Sequence, residues 1–180
     1  GEFLHWDLGN STEAESVWKE GDAYFAQFET DFSDYALSID EWLYVETLRE
    51  EMDILTMLGE VTGDTAYLTE ADGVADILAG TLAANTLSDE WQIRGARNLG
   101  DHYRRRGHAE WHLGNDPTTY FEEAITIYTN ALNTAGTDHT AWPDQGTVAD
   151  MYRQPGQLYH ELFNYYRGRD SATADSYSTE

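Results

Sequence analysis

Ser38-Ile39-Asp40-Glu41-Trp42 returns as Leu87-Ser88-Asp89-Glu90-Trp91, and each copy opens a long stretch able to run as one helix. The two stretches also end alike, at Thr62-Gly63-Asp64 and at Leu113-Gly114-Asn115-Asp116. A glycine just past a helix end takes the left-handed conformation that satisfies the last carbonyls. A shorter helix follows each turn, Tyr67-Leu68-Thr69-Glu70-Ala71 through Leu78 and Tyr120-Phe121-Glu122-Glu123-Ala124 through Leu132. The period is roughly 50 residues, long enough for one helical hairpin per repeat. A lone hairpin exposes an apolar face that it cannot bury, so neighbouring hairpins must stack.

That repeat sets the fold class as all-α. Three prolines and 15 glycines leave long uninterrupted runs, whose apolar residues recur at three and four and not at two. The expected architecture is a stack of antiparallel helical hairpins, about 38–80 and 88–134, with capping helices at both ends, all within one domain spanning 11–170. Ser11-Thr12-Glu13-Ala14-Glu15 reads as a helix start, a hydroxyl cap followed by acids that suit the positive end of the helix dipole. This first helix runs to about Tyr35 with Val17, Tyr24, Phe25 and Phe28 on its apolar side. Pro155-Gly156 breaks the segment after 140 into a short helix and a final one over Leu158 to Tyr166. Residues 1–10, opening Gly1-Glu2-Phe3, read as a cloning remnant or linker that leaves room for an upstream anchor or domain, and 171–180 as a flexible polar tail.

Charge narrows the setting. The chain has 34 acidic residues against 10 basic ones, a formal net charge of −24, and Lys19 is its one lysine. With 41% hydrophobic and 13% aromatic residues it is too apolar for a disordered chain. A carboxylate-rich, lysine-poor surface stays hydrated where salt screens its self-repulsion, over a Debye length of roughly 3 Å at 1 M. The acids are scattered and not in blocks, which points to a halophilic organism more than to a docking surface for a basic partner. The same charge opposes nucleic-acid and direct membrane contact, both of which depend on clustered cations. There is no cysteine, hence no disulfide framework or thiolate chemistry. No run reaches the 18 or so apolar residues of a span, and the expectation is a cytoplasmic protein or the soluble extracellular part of a longer anchored one.

Asn98-Leu99-Gly100-Asp101-His102-Tyr103-Arg104-Arg105-Arg106-Gly107 resembles the first helix of a tetratricopeptide repeat, and Tyr120-Phe121-Glu122-Glu123-Ala124-Ile125 with Ala131-Leu132 resembles its second. Glycine and alanine there let helix backbones approach closely. The chain departs from the family in an extra stretch, about 109–119, where the family has a tight turn. The first hairpin keeps Gly63-Asp64, Tyr67, Ala71 and Leu78. A second resemblance is to α/α-toroid carbohydrate enzymes, where a Thr-Gly-Asp turn followed by Tyr-Leu also joins long helices, although two hairpins cannot close a toroid. The tetratricopeptide likeness implies a right-handed superhelix with a concave surface that recognises a peptide or protein. It implies no chemistry, and it transfers no binding residue.

The candidate binding residues come from the arginines instead. Arg94, Arg97, Asp101, Arg104, His108 and His112 fall near one face of the second long helix, with Arg105 beside them. Arginine forks match carboxylate and phosphate oxygens in paired hydrogen bonds, so the stripe can receive an anion. The plainer reading pairs these arginines with acids of the neighbouring hairpin such as Glu46, Glu50 or Asp53. His108 and His112, four apart, supply two metal ligands and no third; Ala109 stands where a zinc protease has its glutamate. No nucleophile elbow and no phosphate loop is present, so no catalytic residue, metal or cofactor is assigned. Trp42 and Trp91, at equivalent places in the repeat, are expected in the core, and Trp142 beside Pro143 is the aromatic expected to be exposed. The expected function is a non-catalytic module that binds a peptide or protein partner. Alternatives are the ligand-sensing domain of an anchored receptor, taking a small anion or sugar, and a fragment of a carbohydrate-active enzyme.

Overall fold

The computed structural model describes residues 10–135 and 145–178, all of it helices and short connections. The elements are α1 (Ser11–Ile39), α2 (Glu41–Thr62), α3 (Thr65–Ala84), α4 (Asp89–His112), α5 (Thr118–Ala135), α6 (Gln145–Tyr166) and α7 (Ser171–Tyr177). The expectation for Trp142 and the opening Gly1-Glu2-Phe3 lie outside the described residues.

Local chemistry sets most helix ends. Asn10 caps α1, accepting from the Glu13 amide at 3.3 Å. Asp40 caps α2 and Asp64 caps α3 through their carboxylates. Gly63, at φ 69°, closes α2 with its amide on the Gly59 carbonyl. The extra stretch expected between α4 and α5 is largely helix: α4 runs on to His112, leaving a turn of residues 113–117 in which Gly114 has φ 83°.

Helices adjacent in the chain pack on each other, and α2 also packs on α4. The first core joins Val45, Leu48, Met52 and Leu55 of α2 to Ala71, Val74, Ala75 and Leu78 of α3, with Leu99 of α4. The second joins Phe121, Ala124, Ile125 and Tyr128 of α5 to Val148, Met151, Leu158 and Leu162 of α6. Two glycines set how closely the helices of each hairpin approach. A Cβ on Gly59 would lie 2.4 Å from Leu68, and one on Gly107 would lie 2.4 Å from the Phe121 ring.

Four expectations are corrected. On α1 the buried residues are Ala14 and Trp18, whereas Val17 and Tyr24 are exposed; the face that packs continues through Gly21 and Phe28. Trp42 is 56% exposed, while Trp91 lies partly buried against the first core. Pro155 does not break α6, which runs continuously across it. Losing a helical hydrogen bond there costs about 3 kcal/mol, but Val148, Met151, Leu158 and Leu162 are buried on both sides of it. At roughly 1.5–3 kcal/mol for each buried side chain, keeping them on one face outweighs the break. The expected tail forms α7 over Ser171–Tyr177. Asp170 caps it, accepting from the amides of Ala172 and Thr173. Ala174 is buried, and the Tyr177 ring stacks on Tyr166 at 5.9 Å.

Candidate functional site

The stripe residues all lie on α4, the helix in the middle of the chain. Two rows of polar contacts run along it, each at a nearly constant sequence offset. Toward α2, Asn98 donates to Glu46 at 3.3 Å, Arg105 pairs with Asp53 at 3.4 Å, and His112 Nδ1 lies 2.6 Å from Glu60. Each of these partners is 52 residues away. The positions on each helix are seven apart, a spacing that returns to the same side with a drift of about 20°. Toward α6, Arg97 contacts Asp150 at 3.3 Å and His108 contacts Glu161 at 3.1 Å, each 53 residues away. Contacts at a constant offset require parallel neighbours, so α2, α4 and α6 run side by side in one direction.

The expected stripe therefore divides. Arg97 and His108 contact α6, Arg105 and His112 contact α2, Asp101 and Arg104 meet each other within α4, and Arg94 pairs with Glu90 within α4 at 3.1 Å while lying over the Trp91 ring. Asp101 ties α4 to α5: Arg97 and Arg104 each lie 3.6 Å from it, and the Tyr128 hydroxyl of α5 donates to it at 2.7 Å. Burial first, and the Asp101 carboxylate second, push that hydroxyl far above the usual phenol range, so it stays a donor. Burial also pushes the Asp53 carboxyl up, against the pull of Arg105 and Arg49. The pairing with acids of the first hairpin holds for Arg105 with Asp53; Glu46 and Glu50 are taken by Arg49 of their own helix.

Between α4 and α6 the ties at Arg97 and His108 stand three turns apart, and the two helices touch sparsely. The Gln154 carbonyl oxygen is buried with no hydrogen-bond partner. Along the same helix Arg153, Gly156, Gln157, His160 and Glu161 line an open pocket of about 440 Å³.

The opposite side of α4 carries a cluster that the stripe reading passed over. His102 Nε2 lies 3.1 Å from Asp72 of α3, and Arg106 lies 3.3 Å from the same carboxylate. Arg106 also pairs with Glu110 and covers the Tyr120 ring at 4.5 Å, and Asn115 donates to Glu110 at 2.6 Å. Burial opposes the Arg106 charge, and the hydrogen bond to Glu110 with the field of Asp72 more than offsets it. The signal was in the chain, because residues 102, 106 and 110 repeat every four. What it lacked was Asp72, which arrives from a different hairpin. Both ring and guanidinium are buried, so the cluster fastens α3 to α4 and offers nothing to a substrate.

Among the described residues, no group of three or more acids and histidines is placed to hold a metal, and no helix is long and apolar enough to cross a membrane. No protein family, curated protein or solved structure matches the chain.

Proposed function

We propose that the chain is a non-catalytic, tetratricopeptide-like helical-repeat module of a halophile that binds a peptide or partner protein along the seam between α4 and α6. The observation that carries this reading is the seam itself. It has half-exposed arginines already paired to carboxylates, sparse helix contact, and the unmet acceptor of Gln154. Such arginines can exchange an internal carboxylate for one on a partner at little net cost, because exposed pairs are worth about 1 kcal/mol or less. The parallel run of α2, α4 and α6 supports a superhelix whose inner face these three helices share. The module is read as cytoplasmic.

The test is selection from a random peptide library in about 2 M KCl, where screening is strong. Peptides enriched by the native chain should bind about tenfold more weakly to Arg97→Ala/Arg104→Ala, a difference of about 1.4 kcal/mol. Melting should be nearly unchanged. Equal binding by the variant, or no enriched peptide, would remove the proposal. The pocket along α6 favours a second reading, a small anion or sugar held beside Arg153 and His160. Titration with small carboxylates and monosaccharides separates the two.

A further inference from the structure

We propose that the last two turns of α4 form a proton-operated clamp, which draws α2 and α6 onto α4 when His108 and His112 are protonated. The two imidazoles sit one turn apart with ring centroids 6.4 Å from each other, and they reach opposite ways. His112 Nδ1 is hydrogen-bonded to Glu60 of α2 at 2.6 Å, whereas His108 Nε2 lies 3.1 Å from a Glu161 oxygen of α6 that is buried and makes no hydrogen bond in this arrangement. Imidazole is the side chain whose ordinary charge change falls between about pH 5 and 8. An imidazolium donating to a carboxylate makes a charge-assisted bond, about twice as strong as the neutral one. His112 also lies in the last turn of α4, at the negative end of the helix dipole, which favours a cation.

The surroundings are consistent with that direction. His108 meets Glu161 from α6 and the edge of the uncharged Phe121 ring from α5, with Arg104 one turn earlier on its own helix. His112 meets Glu60 from α2, and the nearest pair along that row, Arg105 with Asp53, is already matched. Two imidazolium ions four apart on a helix repel weakly, a small opposition beside the attraction of each for its own carboxylate. His102 stands outside the clamp: it is buried, faces α3, and shares Asp72 with Arg106.

The consequence is specific to the seams. His108 to Glu161 is one of the two ion pairs described between α4 and α6, so releasing it leaves that seam with the Arg97 pair and the Trp111–Tyr165 ring contact. The device stands whether or not a peptide occupies the seam. Amide hydrogen exchange of the whole chain in high salt, corrected for intrinsic rates, provides the test. Protection around Glu161 and Glu60 should be about fivefold greater at pH 6 than at pH 8, the effect of about 1 kcal/mol. His108→Gln/His112→Gln should abolish that difference, whereas His160→Gln, on the exposed side of α6, should keep it. Protection that ignores pH, or that changes equally in the double variant, would overturn the clamp. Should the double variant fail to fold, Glu161→Gln and Glu60→Gln read the same effect one seam at a time.

Discussion

Where α2 meets α1, Leu58 and Ile54 pack on Ala14 and Trp18; where α4 meets α3, His102 and Arg106 converge on Asp72. Both interfaces have apolar contacts, but the second adds a buried charged cluster beside Leu99 and Leu78. Apolar packing is non-directional and tolerates small shifts, with its strength following the area removed from water. The charged cluster fixes a geometry, because a buried ion pair repays its desolvation only when each partner is in place. A chain that carries few cations has spent one of them inside the second hairpin, where it aligns two helices.

The largest expected effect tests this contrast directly. Arg106→Ala leaves Glu110 buried without its cation and should destabilise the fold by about 3 kcal/mol or more. Leu58→Ala on the apolar side should cost about 2–5 kcal/mol through lost burial and a cavity. The two differ in kind: replacing Arg106 and Glu110 together by apolar residues of similar volume should restore much of the loss, a rescue that no second truncation offers Leu58. Denaturant titration of the three variants decides it, and an Arg106→Ala cost below about 1 kcal/mol would erase the contrast.

Glycine substitutions come next. Gly107→Ala forces a methyl against the buried Phe121 ring and should cost about 1–3 kcal/mol. Gly73→Ala on α3 meets open space and should gain up to about 1 kcal/mol from helix propensity. Thermal melting reads both, and opposite signs are the expected result.

A smaller effect belongs to Asp53, between the two hairpins. Its folded pKa is raised by burial, so the folded state keeps a proton that the unfolded chain has given up. Stability from this group is therefore gained as pH falls through the folded pKa, above the ordinary value of about 4. Asp53→Asn should flatten the stability profile in that acid range. The smallest shift is with salt: melting should rise between about 0.1 M and about 2 M KCl as repulsion among the excess carboxylates is screened. An unchanged melting temperature would count against the halophile reading.

Much of the fold was legible in the chain. Asp40, Gly63 and Asp64 act through bonds to residues two to four positions away, which is why the start of α2 and its turn into α3 could be placed from local chemistry. The same reasoning failed at Pro155 and at Ser171–Tyr177, where burial against neighbouring helices overrode a local breaker and a polar composition. Ser88 shows the boundary between the two kinds of information. It occupies the cap position of α4 yet makes no side-chain cap bond, giving its hydroxyl and amide instead to Glu41 of the first hairpin.

The sequence by itself determined that this chain is helical and where helices such as α1 and α2 begin, because those properties rest on short spacings along one element. The tertiary structure decided which acid each cation of α4 meets. Those partners lie 52 or 53 residues away, and their pairing follows from how one helix slides against the next, a displacement set by packing across separate elements.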